Sequence, residues 1–207
     1  MVPGQELAVH TDVPEFRGSS RKNVPQWLLV VMHHSGLFDA WRLHIATGIA
    51  YLQDMEGGAL RYWPDGADAE PATLPVRTNT AVVLDTDSVF HGVDPVAPGA
   101  EAPRVSRGAT LVAESDQRWV LAQPDGEVLG RYRWDELRFS VSWKAYCFAD
   151  EAERDAWRDH SDDLTADAII ERLVADLVER ELVPADVVRD HTLGRLLIDA
   201  HVRFPTA

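Results

Sequence analysis

A mainly β fold with a helical C-terminal segment is predicted by two observations. From residue 7 to about 148 the chain is a series of short runs rich in Val, Ile, Leu, Trp and Tyr, broken by Gly, Pro, Asn and Asp, the texture of antiparallel sheet. After Asp150 the pattern changes to interspersed acids and bases with apolar residues at three- and four-residue spacing, which marks an amphipathic helix. Eight or so short antiparallel strands fit a double-sheet jelly roll, a double-stranded β-helix of cupin type that closes around a small-molecule site. The expected organisation is a β core over residues 1–150 and a helical segment over 151–207 packed on the barrel, within the same domain.

The elements follow in order. Residues 7–12 (Leu-Ala-Val-His-Thr-Asp) read as a strand whose two-residue period sends His10 and Asp12 to one side and Thr11 to the other. Residues 27–32 (Trp-Leu-Leu-Val-Val-Met) read as a strand buried on both faces, 43–52 as a longer strand, and 59–63 as a strand after the Gly57-Gly58 break. Residues 80–85 form a strand that ends just before His91. Residues 118–123 and 127–134 flank Pro124-Asp125-Gly126, a strong turn signal that makes them a β-hairpin.

Residues 137–148 supply the last strand. One face carries Arg138, Ser140, Ser142, Lys144 and Tyr146, and must be wet or line a polar pocket. The other carries Leu137, Phe139, Val141, Trp143, Ala145 and Cys147, expected to pack into core or under the helices. In the helical segment Thr165 is the N-cap of a helix bearing Ile169, Ile170, Leu173, Val174, Leu177 and Val178. A second helix is expected from Pro184, carrying Val187, Val188, Leu196 and Leu197. Both helices are expected to cover the outer face of one sheet.

With 207 residues, 45% hydrophobic and 26% charged, the composition is that of an ordinary soluble globular domain. The balance of 20 Lys+Arg against 34 Asp+Glu gives a net charge of −14, which disfavours nucleic acid and anionic membrane as partners. No apolar run approaches the ~18–20 residues of a membrane span, and Met-Val-Pro-Gly-Gln-Glu lacks the features of a signal peptide. A cytoplasmic protein is expected, with Cys147 as a buried, inert thiol. The sequence says nothing of oligomeric state.

The chemistry-bearing residues are His10 and Asp12 with the distant His91, in the run Val89-Phe90-His91-Gly92-Val93. Two imidazoles and one carboxylate can cap one face of an octahedral metal and leave three positions open, the arrangement typical of non-haem Fe(II) oxygenases. His33 and His34, being adjacent on an expected strand, face opposite sides, so a strand-end or turn role is favoured for them. His44 is either core or pocket lining. His160, His191 and His201 lie in the helical segment, where solvated or packing roles are the default. Trp27, Trp41, Trp63, Trp119, Trp134 and Trp143 are expected in the core. Tyr51, Tyr62, Arg61 and Lys144 are pocket-lining candidates for a polar small-molecule substrate.

Four segments, taken in order, carry a resemblance. They are Pro3-Gly4-Gln5-Glu6-Leu7 leading into His10-Thr11-Asp12; Gly57-Gly58-Ala59-Leu60; Asn79-Thr80-Ala81-Val82-Val83-Leu84-Asp85 followed by His91-Gly92-Val93-Asp94-Pro95-Val96; and Arg138-Phe139-Ser140-Val141-Ser142-Trp143. Over residues 3–148 the chain resembles the 2-oxoglutarate and Fe(II)-dependent dioxygenase superfamily. The resemblance implies Fe(II) held by His10, Asp12 and His91, 2-oxoglutarate as cosubstrate and O2 as oxidant. It further implies oxidation, by default hydroxylation, of a small-molecule C–H bond with release of succinate and CO2. Desaturation and cyclisation are the variants, and a carboxylate at position 12 argues against halogenation.

Arg138 and Ser140 are similar to the superfamily's Arg-x-Ser anchor for the cosubstrate. The chemistry stands beside the likeness, because a guanidinium grips a carboxylate with two parallel hydrogen bonds and a hydroxyl two residues on adds a third. The chain departs from the pattern in that Arg138 lies unusually far beyond His91, making residues 97–135 an insertion. Arg104-Val105-Ser106 competes for the role, but Arg104 sits among Pro, Gly and Ala loop residues, so Arg138 is preferred. The hairpin over residues 118–134 is a lid, an oligomer contact or decoration. Few residues precede His10, so either the C-terminal helices replace a missing layer or the chain is a truncated form. Two other readings remain: a cupin-like metalloenzyme that does not use 2-oxoglutarate, and a non-catalytic small-molecule-binding barrel.

Overall fold

In a computed structural model, residues 1–115, 117–187 and 191–202 are described. Among them the strands are β1 (Leu7–His10), β2 (Glu15–Phe16), β3 (Arg42–Tyr51), β4 (Leu60–Trp63), β5 (Ala72–Leu74), β6 (Thr80–Asp85), β7 (Phe90–Val93), β8 (Thr110–Ser115), β9 (Arg118–Ala122), β10 (Val128–Arg133) and β11 (Ser140–Cys147). The α-helices are α1 (Gln26–Ser35), α2 (Glu151–Asp159), α3 (Ala166–Glu179) and α4 (His191–His201). The architecture is mainly β sheet with a few helices, as the texture of the sequence predicts. Among the described residues no helix is long and apolar enough to cross a membrane. The chain divides into two compact units, Met1–Thr11 with Thr47–Lys144, and Asp12–Ala46 with Ala145–Ala207.

In the first unit β1, β7, β4 and β5 form one antiparallel sheet in that order. Leu7 pairs with Val93 and His10 with His91, three residues against two, so β1 carries a bulge that re-aims its last side chain. Gly92 permits the close approach of the two strands there, since a Cβ at that position would come 2.9 Å from the Leu7 carbonyl oxygen. The hairpin expected around Pro124-Asp125-Gly126 is present. β9 pairs with β10, the Gln123 amide donates to the Glu127 carbonyl at 2.8 Å, and Gly126 takes a φ of 91°, which suits glycine. β8 completes a three-stranded sheet whose Leu121 is buried with Val2 and Leu137. Trp134 stacks on Phe139 at 4.5 Å between centroids, and Trp119 tilts against the same ring at 5.0 Å.

A further sheet runs β11-β3-β2, with β6 paired to β3. In β3 the buried Leu43, Ile45 and Thr47 alternate with exposed or half-buried neighbours, and His44, left open between core and pocket, is exposed. The last strand differs from its expectation. It begins at Ser140, so Arg138 precedes it, and its apolar face is not covered: Val141 is 54% and Trp143 51% exposed. Cys147 is exposed rather than buried. Alternation reports that a strand has two unlike faces, but not that anything is laid over them. Trp143 instead spreads its indole over Gly48 of β3, where no Cβ would fit.

The second unit has a helical core. Residues 27–32, expected as a strand, form most of α1. The six apolar residues are too few to distinguish the two periods, and the context decides. Pro25 opens the helix and Gly36 closes it in the left-handed conformation, with its amide on the His33 carbonyl. Leu28, Leu29, Val31 and Met32 are buried against Ile169, Leu173 and Leu177 of α3 and Leu193 and Leu197 of α4, while Trp27 remains 38% exposed. His33 and His34 accordingly lie in the last turn of a helix, not at a strand end.

The Thr165 cap is as expected, its hydroxyl accepting from the Ala168 amide at 3.3 Å. The following helix starts later than expected. Pro184 initiates only a turn, closed by the Val187 amide, and α4 begins at His191, with Val187 before it. Val188 lies outside the described residues. Arg17, buried, holds this unit together: it donates to Asp162 at 2.8 Å and to the Ala40 carbonyl at 2.6 Å, and lies 3.5 Å from Glu153. Its own carbonyl accepts from Leu164.

Candidate metal centre

His10 and His91 are direct partners across the β1–β7 pair, with ring centroids 4.4 Å apart. Each ring is oriented by the same device. His10 Nδ1 lies 2.8 Å from the Ala8 carbonyl, and His91 Nδ1 lies 2.9 Å from the Val89 carbonyl. A carbonyl oxygen only accepts, so each Nδ1 is the donor there, and Nε2 is the ring nitrogen that would coordinate a cation. His91 is only 6% exposed and His10 half-buried.

The two-residue period places Asp12 on the strand beside His10, but β1 ends at His10 and Asp12 lies beyond it. It is half-buried, and its carboxylate nevertheless joins the imidazoles, one ligand atom from each of the three residues lying within 4.8 Å of the others. Two imidazole nitrogens and one carboxylate oxygen converging at this spacing form a donor set suited to a divalent transition metal.

The approach to His91 is fixed by a tight turn. The Val89 and Ser88 amides both donate to the Asp85 carbonyl at 2.9 and 3.2 Å. Thr86, buried, shares a 2.7 Å hydrogen bond with Thr47 of β3, and Asp87 beside it is fully buried. Nothing in the sequence singles out Thr47, Thr86 or the Ala8 and Val89 carbonyls, since their roles arise from contacts that only folding creates.

Arg138 is the second feature. It is 6% exposed, whereas its competitor Arg104 is exposed. The guanidinium donates from Nε to the Gly58 carbonyl at 2.7 Å, from Nη2 to the Tyr51 hydroxyl at 3.5 Å and from Nη1 to the Ser140 hydroxyl at 3.5 Å. It also lies 5.2 Å over the Tyr51 ring, a cation–π placement. Gly58, at a φ of 61°, makes room, since a Cβ there would press on Arg138 Cδ. Burial lowers the Arg138 pKa from its ordinary value, opposed by Tyr51, and burial raises that of Tyr51. Among the described residues no carboxylate pairs with this cation. Gly58 lies just before β4, the strand in which Tyr62 pairs with His91.

The other pocket-lining candidates divide. Tyr51 supports Arg138, and Tyr62 pairs with His91 in β4. Arg61 faces the other way and is ion-paired with Asp94 at 2.6 Å. Lys144 is exposed on β11. Compared with models of known protein families, with curated proteins and with solved structures, the chain matches none.

Proposed function

We propose that the protein is a non-haem Fe(II) and 2-oxoglutarate-dependent dioxygenase with a jelly-roll core, acting on a small molecule. The observation that carries this reading is the convergence of His10, Asp12 and His91, with Nδ1 of each imidazole turned to a backbone carbonyl. The strand order supports the fold: the chain goes from β3 to β4 and β5 in the other sheet, returns to pair β6 with β3, and then inserts β7 between β1 and β4. Such non-consecutive neighbours belong to Greek-key connections.

The donor set fits ferrous ion, and the buried guanidinium without an acidic partner fits the distal carboxylate of a dicarboxylate cosubstrate. When bound, iron and 2-oxoglutarate supply the oxidising chemistry, in which decarboxylation to succinate and CO2 is coupled to reduction of O2 and hydroxylation of a C–H bond. The protein supplies position. His10 and His91 give fixed neutral donors and Asp12 a negative charge that offsets part of the cation's. Arg138, held by Gly58 and Tyr51, orients the cosubstrate by its far end, with Ser140 beside it.

The test is spectroscopic. Adding 2-oxoglutarate to the anaerobic Fe(II) protein is expected to raise a weak visible absorption band, and with substrate and air the mixture is expected to yield succinate. A protein that binds Fe(II) but shows neither band nor succinate would refute the use of this cosubstrate.

A further inference from the structure

Tyr62 stands in a row with the two imidazoles. It pairs with His91, which pairs with His10, and residues directly opposite in an antiparallel pair share a face with Cβ atoms roughly 4.5–5.5 Å apart. The phenol therefore projects from the same side of the sheet as both rings, beside His91 and away from His10. Beyond it the row ends in the small side chain of Ala72.

Two of the other tyrosines use their hydroxyls within the fold: Tyr51 accepts from Arg138, and Tyr146 donates to Glu15 at 2.7 Å. Tyr132 lies on the separate β8–β9–β10 sheet, away from the imidazole row. Tyr62 is half-buried, and its hydroxyl makes no hydrogen bond to any described residue. Phenols in such surroundings ordinarily find a partner. A neutral phenol is a good donor to an anion, and the bound cation is what would bring an anion to this face.

We propose that Tyr62 donates a hydrogen bond to the ligand held at the open side of the metal, a small anion or a carbonyl-type acceptor. The inference rests on the metal reading of His10, Asp12 and His91, and goes beyond it by assigning a ligand-contacting donor from a third strand. Arg138 and Tyr51 serve the far carboxylate; Tyr62 serves whatever occupies the metal's own open positions.

Cobalt(II) and azide provide the probes. Azide is titrated into the Co(II)-loaded protein and into Tyr62→Phe, following visible absorption, with Co(II) affinity measured separately. Tyr62→Phe is expected to bind azide roughly tenfold more weakly with Co(II) affinity unchanged. In the unsubstituted protein Co(II) is expected to broaden the ring protons of Tyr62 in the NMR spectrum, a reading independent of whether any variant folds. An unchanged azide affinity, or an unbroadened Tyr62 ring, overturns the assignment and leaves the metal centre standing. Failure of the unsubstituted protein to take up Co(II) overturns the metal centre and the assignment together.

Discussion

His10 and His91 face each other across one strand pair, 4.4 Å between ring centroids, and each gives its Nδ1 proton to a carbonyl two residues earlier in its own strand. This repeated arrangement puts two similarly held rings on one face of the sheet, which supports the proposed donor pair. Removing one of the proposed ligating side chains is expected to cost more than the ~10–100-fold in metal affinity that loss of an outer-shell partner costs. His91→Ala and Asp12→Ala are therefore expected to lose at least about 100-fold in Fe(II) or Co(II) affinity. Metal titration with circular dichroism as a folding control checks it; retained affinity in both would exclude the triad as the site.

The two arginines of the Arg-x-Ser segments separate cleanly. Arg138→Ala is expected to weaken 2-oxoglutarate binding by on the order of 100-fold, because two charge-assisted hydrogen bonds are lost. Arg104→Ala, at an exposed loop residue, is expected to leave it unchanged. Anaerobic titration of the Fe(II) protein with 2-oxoglutarate distinguishes them, and equal affinities in the two variants would contradict the assignment.

Arg17 is buried, but its acidic partners Asp162 and Glu153 are 41% and 22% exposed in their side chains. Losing the arginine thus leaves carboxylates that water can still reach. Arg17→Met is expected to destabilise by about 1–2 kcal/mol, below the ~3–5 kcal/mol of a fully buried pair. Urea unfolding measures this, and an unchanged midpoint would show that the network contributes nothing.

His201, at the end of α4, lies 3.4 Å from Asp176 and 3.5 Å from Arg180. Burial lowers its pKa, Arg180 adds to that, and Asp176 opposes it. The unfolded chain therefore binds the proton more readily than the folded one. Stability is expected to fall as pH drops through the ordinary imidazole range near 6.5 and to stop falling below the depressed folded value. His201→Gln is expected to flatten that slope in urea unfolding at pH 7.5 and 5.5; an identical slope would remove His201 as its source. His34, also lowered by burial, contributes in the same direction and sets the residual.

The convergence of His10 and Asp12, the β9–β10 hairpin and the α3 cap were legible because each is a local pattern: His-x-Asp beside a strand, Pro-Asp-Gly between two apolar runs, Thr before an amphipathic repeat. The α1 segment was not, because Trp27 to Met32 is continuously apolar and carries no period. Val141, Trp143 and Cys147 looked like core since alternation is blind to whether a face is covered. The Arg138 cradle needed a carbonyl from Gly58, far away in sequence, and such backbone contacts leave no residue-type signature.

Asp12 lies beyond the end of β1, while both imidazoles lie within the sheet. The proposed site would thus join two donors fixed by strand pairing to one carried by the segment that follows the strand. Adjustment to ions of different radius would fall to that one side chain. Discrimination among divalent cations would then rest on the nitrogen donors and on supply within the cell, not on the width of the cage.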